Sequence, residues 1–274
     1  MGKYKLNIGD VYRANCGDMC KVIERIDGMH VVIEWQDEFK HKQIARPERV
    51  MSGKLYNPFC KSIYGVGYVG VGEYSPSKHK KIYSLWIGMF IRSYDKKFLL
   101  EKPTYNGCSV SSDWCNFQKF ASWCENQPGF GLEGYELDKD FLFKGNKIYG
   151  PETCVFIPGY VNSVFSASDS IRGDYPLGVS LGALTKSKGQ RYVAQIKMRM
   201  TNTKHQRHLG SFSSSMEAHK AWQLAKSLVI QNVLNAYSVE KSFDTRVAER
   251  LLAEMWELLY DASVGKETKS FYGR

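Results

Sequence analysis

Apolar and polar residues alternate in two neighbouring segments of the second half of the chain. They are Tyr192-Val-Ala-Gln-Ile-Lys-Met198 and Gln206-Arg-His-Leu-Gly-Ser-Phe212, and the polar segment Thr201-Asn-Thr-Lys-His205 lies between them. A period of two predicts β-strands with one buried face, and the short polar connection predicts a hairpin. The segment from Ser214 has the three- and four-residue spacing of a helix with an Ala-rich face, so we expect this helix to cover one face of the sheet.

The face of the sheet that the helix leaves open is predicted to be polar and basic. A narrow sheet that carries a row of Arg, Lys and Gln side chains fits a DNA groove in shape and in hydrogen-bonding chemistry. The expected DNA contacts are Lys188, Arg191, Gln195, Lys197, Arg199, Gln206 and His208. The residues expected to face the helix are Val179, Leu181, Tyr192, Ala194, Ile196, Leu209 and Phe212.

Short strand-like runs fill the first fifty residues, at 8–12, 20–26, 30–35 and 41–45. Turn residues, such as Cys16-Gly-Asp18 and Asp27-Gly28, separate these runs. Short strands joined by tight turns predict a small, strongly curved antiparallel β-barrel in residues 1–52. We interpret it as an accessory interaction module, because nothing in this segment points to catalysis.

The middle of the chain, residues 53–170, begins with a glycine-rich passage and continues with aromatic-rich helical segments. The passage contains Gly65-x-Gly67-x-x-Gly70, but the strand and helix of a dinucleotide-binding site are missing around it, so a flexible connection is the better interpretation. Trp114, Phe117 and Phe120 recur at helical spacing, which favours core packing over the alternative of stacking on bases.

The last segment, residues 238–274, is predicted to hold an amphipathic helix and a tail. Asp244 is a plausible N-cap for this helix. The apolar stripe that follows indicates packing on the preceding domain, and the sharper alternative is a dimer seam. The stripe consists of Val247, Leu251, Leu252, Met255, Leu258 and Leu259.

Positive charge is concentrated in one quarter of the chain. The 274 residues have a formal net charge of +10. Residues 170–237 contain ten Lys and Arg against two Asp and Glu, a balance of +8, whereas 1–58, 59–169 and 238–274 carry +2, +1 and −1. Because such a segment repels itself unless a polyanion compensates it, this distribution favours nucleic-acid binding.

Seven cysteines are present, without the paired short spacings of a zinc finger. They predict free buried thiols in a reducing compartment, with no metal site. No run of about 18 apolar residues occurs, and the first residues lack a signal-peptide core, so we expect a cytoplasmic protein without membrane association.

Several of these segments together resemble the ethylene-response-factor (Apetala-type) DNA-binding domain. The resemblance covers about a quarter of the chain and implies a three-stranded antiparallel sheet in the major groove, backed by one helix, within residues 171–237. It is carried by Gly178-Val179, Arg191-Tyr-Val-Ala-Gln-Ile-Lys197, His208-Leu-Gly-Ser-Phe212 and Met216-Glu-Ala-His-Lys-Ala-Trp222.

The base-reading positions differ from those of plant members of this family, which are richer in Arg. Ser180, Gln195, Gln206 and His208 stand at several of these positions. We expect glutamines to read adenine and cations to contact phosphates or guanine edges. In this arrangement the adenine readers are Gln195 and Gln206, the phosphate or guanine contacts are Lys197 and Arg199, and the phosphate clamps are Lys188 and Arg191.

The middle region resembles phage-encoded proteins related to the HNH homing endonucleases, in which an Apetala-type domain commonly follows. This resemblance implies a ββα metal-binding centre within residues 53–170. It rests on Trp86-x-x-Met89-x-x-Arg92-x-Tyr94-Asp95, Trp114-x-x-Phe117-x-x-Phe120-x-x-Trp123, Leu137-Asp-Lys-Asp140, Gly145-Asn146 and Tyr149-x-Pro-Glu-x-Cys154.

Cutting of DNA by this centre would depend on four residues: Asp138, Lys139, Asp140 and Asn146. In the active pattern a His follows the Asp and activates water, whereas Lys139 stands at that position here. A Lys with an ordinary pKa of about 10.4 is a poor base at neutral pH. The two carboxylates could hold Mg²⁺, or they could form a polar turn.

The sequence therefore predicts an α+β, multidomain, phage-type protein that binds double-stranded DNA on a degenerate nuclease scaffold and needs no cofactor. The leading alternative is an active homing endonuclease that uses Mg²⁺. A third possibility is a phage protein that binds a host protein through its barrel and aromatic centre, with DNA affinity secondary.

Overall fold

The computed structural model describes residues 6–165, 174–184, 189–199 and 204–271. The chain divides into two compact units, Met1–Trp123 and Cys124–Arg274. The four-part division expected from the sequence stays a prediction. Within the described ranges, no helix combines the length and the hydrophobicity needed to cross a membrane.

Residues 6–125 contain an antiparallel sheet followed by helices. The strands of this sheet lie in the order β1-β2-β3-β4, as a simple meander. The elements are β1 (Val11–Arg13), β2 (Met19–Arg25), β3 (Val31–Trp35), β4 (Lys42–Ala45), α1 (Pro47–Met51), α2 (Lys80–Tyr94), α3 (Lys96–Glu101), β5 (Ser109–Val110) and α4 (Phe117–Glu125).

The N-terminal strands are an open sheet, so the predicted barrel is wrong. In the described residues β1 pairs with β2 alone and β4 with β3 alone, and these edge strands do not pair with each other. Barrel closure requires that the two edge strands meet, and here they have only three and four residues. One face is buried by Val22, Ile33 and Trp35, whereas Ile44 on the edge strand β4 is 63% exposed.

The helices of this unit confirm the core-packing interpretation of the aromatic stripe. Trp114, Phe117 and Phe120 are each no more than 1% exposed, which leaves no ring face for a base. The indole nitrogen Nε1 of Trp86 donates to the carbonyl of Trp114 at 2.7 Å. The glycine-rich passage is held by backbone hydrogen bonds from Tyr68 to Cys115 and from Phe117 to Tyr68, so it is not a free linker.

The rest of the chain contains two antiparallel strand groups and two long helices. β6 pairs with β8, and the three-stranded sheet has the order β11-β10-β9. The antiparallel strand pair, its third strand and the helix behind them are as predicted, whereas residues 201–203 of the predicted hairpin connection lie outside the described residues. The elements are β6 (Tyr135–Asp138), β7 (Ile148–Tyr149), β8 (Val155–Pro158), α5 (Gly159–Asn162), β9 (Val179–Leu181), β10 (Tyr192–Arg199), β11 (Lys204–Phe212), α6 (Ser215–Tyr237) and α7 (Thr245–Val264).

The C-terminal helix α7 packs against α6, which confirms the first interpretation of its apolar stripe. Asp244 caps the helix as predicted, because its side chain accepts from the backbone N–H of Arg246 at 2.9 Å. Most of the stripe is buried in one core with α6, but Leu252 is 37% exposed. The buried members are Val247, Leu251, Met255 and Leu258.

One cation of the basic segment, Lys226, lies inside this core. Its side-chain nitrogen Nζ donates to the carbonyl of Val164 and lies 5.4 Å from the ring centre of Phe271. Burial lowers the pKa of Lys226 to about 8, although the charge of Glu254 acts in the opposite direction. This cation is therefore unavailable to a polyanion at the surface.

We expect the contribution of Lys226 to the free energy of unfolding to rise as the pH increases from about 8 towards its unfolded-state pKa of about 10.4, because in that window the lysine keeps its proton in the unfolded chain and loses it in the folded one. Replacement of Lys226 by Met should remove this contribution of roughly 3 kcal/mol. Urea unfolding across the window measures it, and Lys220→Met, an exposed lysine on the same helix, is the control. Equal pH dependence in wild type and Lys226→Met would contradict the prediction.

Candidate nucleic-acid interface

The three-stranded sheet is fixed to α6 by a capped helix start. The hydroxyl of Ser214 accepts from the backbone N–H of Glu217 at 3.1 Å, and the Glu217 carboxylate accepts in return from the N–H groups of Ser213 and Ser214. This capping box starts the helix three residues after β11 ends. The helix therefore folds back directly onto the strand that precedes it.

Three of the residues predicted to face the helix are buried or pack on the core behind the sheet. Ala194 and Ile196 are 0% and 2% exposed, and Leu209 packs on the same core. Leu181 lies opposite Tyr192 and so on the predicted face, but it is 50% exposed and is not part of the buried core. It is the last residue of the three-residue edge strand β9, which pairs with only the first part of β10.

A β-bulge in β11 decides which residues reach the open face. Ala194 lies opposite Gly210, but the next residue of β10, Gln195, lies opposite His208, so Leu209 is the extra residue. Without the bulge, Leu209 would share the face of Gln195 and leave the core. Gly210 adopts φ +146°, a value that residues with a side chain rarely adopt.

Four predicted DNA contacts occupy neighbouring positions on the open face. Gln195 pairs with His208 across the strands and Lys197 pairs with Gln206. The amide nitrogen Nε2 of Gln206 donates to the side-chain oxygen of Gln195. Lys197, Gln206 and His208 are exposed. Arg207 is exposed as well, but it lies opposite the buried Ile196 and therefore on the helix side of the sheet, not on the open face.

The side chain of Arg191 is engaged within the sheet, unlike a cation that is free to contact phosphate. Its terminal nitrogen Nη2 donates to the carbonyl of Ser211 at 2.6 Å, and its Nε is buried without a hydrogen-bond partner in the described part of the chain. Arg191 therefore ties the start of β10 to β11. Lys188 lies outside the described residues. The backbone of Arg199 ends β10 opposite Lys204, and its side chain lies outside the described part.

Asp138, Lys139, Asp140 and Asn146 also come together, at the end of β6. One oxygen of Asp138, Oδ1, accepts from the backbone N–H groups of Asp140 and Phe141 at 2.9 and 2.7 Å. The amide nitrogen of Asn146 donates to the carbonyls of Lys139 and Ile148 at 2.6 and 2.8 Å. These bonds close a polar loop. This arrangement agrees with the alternative in which Asp138 and Asp140 form a polar turn.

This loop contains its own cation, Lys139, beside two carboxylates. Lys139 is 6% exposed, and its ammonium nitrogen lies 3.0 Å from a carboxylate oxygen of Asp140. Burial, and then the charge of Asp140, raise the pKa of Asp138 to about 6. A magnesium ion does not fit this donor set, because Lys139 already supplies the cation and backbone groups occupy one oxygen of Asp138. The helix after β8, α5, has only four residues.

No protein-family profile, curated protein or solved structure matches the chain. The functional interpretation rests on the open sheet face and on the loop at Asp138.

Proposed function

We propose that this protein binds double-stranded DNA through the open face of β9, β10 and β11. The observation that carries the proposal is the cross-strand cluster of Gln195, Lys197, Gln206 and His208 on the sheet face opposite α6. The charge of +8 in residues 170–237 supports it, even though Lys226 is buried. On this proposal the chain is a phage-type protein with an Apetala-type recognition domain.

The glutamine pair suggests how bases would be read. Because Nε2 of Gln206 donates to Oε1 of Gln195, the remaining Oε1 of Gln206 can accept and the remaining Nε2 of Gln195 can donate. The major-groove edge of adenine presents an amino donor and the N7 acceptor. The paired amides therefore offer a complementary donor and acceptor, while Lys197 reaches a phosphate or a guanine edge.

Endonuclease activity is the less supported candidate. On this proposal the loop at Asp138 is the remnant of an HNH-like centre, retained as a scaffold. The ion pair between Lys139 and Asp140 supports this interpretation, because it balances the charge that a catalytic metal ion would balance. The backbone hydrogen bonds to Asp138 support it further, since they engage the carboxylate in a turn.

Salt-dependent binding to a labelled duplex tests the proposal. We expect a linear fall of log K with log salt, and Lys197→Ala should lower the magnitude of the slope by about one. The control is Lys220→Ala, which removes the same charge from an exposed position on α6, the helix behind the sheet, and should leave the slope unchanged.

The same protein should leave supercoiled plasmid intact in the presence of Mg²⁺. Equal slopes for wild type and Lys197→Ala would contradict the DNA-binding face. Nicked plasmid that is lost with Asp138→Asn would instead establish the nuclease, since Asn keeps an oxygen acceptor for the two backbone donors but removes the charge.

A further inference from the structure

Two cysteines and one aspartate that are distant in sequence meet at one end of the N-terminal sheet. Cys16 and Asp18 lie on the turn between β1 and β2, and Cys60 lies on the loop after α1. The Sγ atoms of the cysteines and a carboxylate oxygen of Asp18 all lie within 4.8 Å of one another. The sequence analysis predicted buried free thiols, but Cys16 is exposed and Cys60 is only partly buried.

The geometry points to a site for a thiophilic divalent cation of the zinc class, bound by Cys16, Asp18 and Cys60. The Sγ atom of Cys16 lies 3.6 Å from Oδ2 of Asp18. A tetrahedral zinc ion with its usual bond lengths to sulfur and oxygen separates those two ligand atoms by about 3.6 Å. Two thiolates select a soft ion over magnesium or calcium. Three protein ligands leave the fourth position to water.

The backbone presents two of the ligands from a tight turn. Gly17 adopts φ +97°, and its N–H donates to the carbonyl of Ala14 at 2.9 Å. The N–H of Ala14 donates to the carbonyl of Asp18 at 2.8 Å, which closes the turn. This turn brings the side chains of Cys16 and Asp18, on either side of Gly17, close together.

A buried amide orients the carboxylate, as outer-sphere partners do in metal sites. Asn57 is 1% exposed, and its Nδ2 donates to Oδ2 of Asp18 at 2.8 Å and to a carboxylate oxygen of Asp37 at 2.7 Å. Its own oxygen accepts from the backbone N–H of Phe59, next to Cys60. Asn57 therefore links the ligand turn to the ligand loop, and its loss should weaken metal binding about 10- to 100-fold.

Titration of the metal-free, fully reduced chain with Co²⁺ tests the site. We expect one ion per chain, with a sulfur-to-metal charge-transfer band and the intense visible absorption of a tetrahedral site, and Zn²⁺ should abolish both. Cys16→Ser should remove the charge-transfer intensity of one thiolate and Cys60→Ser that of the other. Cys115→Ser, a change in a partly buried cysteine outside the cluster, is the matched control and should leave the spectrum unchanged.

Cys16 is exposed, so its variant should fold, and hydrogen exchange of β2 and β3 verifies this. Absence of the charge-transfer band in the wild type overturns the proposal. So does a band that survives in the Cys16→Ser, Cys60→Ser double variant. If the reduced chain binds no Co²⁺ and mild oxidation joins Cys16 to Cys60, the cluster is a thiol pair and the proposal is wrong.

Discussion

Replacement of Gly178 by Ala is expected to destabilise the second unit by roughly 2–5 kcal/mol. Gly178 precedes β9 and has φ +77°, which is unfavourable for a residue with a side chain. A Cβ atom there would lie 1.9 Å from Cδ1 of Trp222, whose ring is 6% exposed and stacks on His219. The carbonyl of Gly178 also accepts from the N–H of Gln195, so a shift of this residue would disturb β10.

Gly189→Ala is the matched control for this substitution. Gly189 also has a positive φ, +64°, but a Cβ atom there would meet nothing within 4 Å. Gly189→Ala should therefore show only the cost of the unfavourable backbone conformation, about 1–2 kcal/mol. Hydrogen exchange of peptides from β9, β10 and β11 measures both variants in the relevant unit. Equal effects of the two substitutions would mean that the Trp222 contact does not constrain the strand.

Replacement of Glu254 by Gln is expected to cost about 3–5 kcal/mol, because it leaves the largely buried guanidinium of Arg250 without its counter-charge. Glu254 is fully buried on α7 and accepts a hydrogen bond from Arg250. Its second partner is Lys144, whose Nζ lies 3.1 Å from the carboxylate. The negative charge also acts on Lys226, so its removal should lower the pKa of that lysine further.

Glu257→Gln tests the same chemistry at the surface. Glu257 pairs with the same lysine, Lys144, at 2.6 Å, but its side chain is 45% exposed. An exposed pair contributes about 0–1 kcal/mol, since water and salt screen it. Urea unfolding of Glu254→Gln and Glu257→Gln therefore separates the effect of burying the carboxylate from the effect of pairing it with Lys144. A loss at Glu254→Gln as small as that at Glu257→Gln would show that water reaches the buried cluster.

These two substitutions concern the support of the proposed DNA-binding face. Trp222 on α6 lies under the sheet, whereas Glu254 on α7 stabilises the helix pair behind it. Gly178→Ala and Glu254→Gln should reduce DNA affinity only to the extent that they unfold the sheet. Lys197→Ala should instead weaken binding in a fully folded protein. Measurements of unfolding and of binding together therefore distinguish residues that stabilise the sheet from residues that contact DNA.

The elements with a clear period were predictable from the sequence. The alternation in β10, the helix spacing of α6 and the cap at Asp244 depend on neighbouring residues, so local chemistry specified them. The barrel was wrong because alternation identifies a strand but not the partner of an edge strand. Likewise, the sequence contained the cations of residues 170–237, but their number could not reveal that Lys226 is buried.

The sequence by itself determined most N-terminal strands, the strands β10 and β11, the helices α6 and α7, the concentration of positive charge and the polar character of the open face, because each of these depends on composition or on spacing along the chain. Only the tertiary structure decided the bulge at Leu209, the ion pair of Lys139 with Asp140, and the meeting of Cys16 with Cys60. Pairing register and contacts between distant segments follow from packing in three dimensions, which one-dimensional periodicity does not encode.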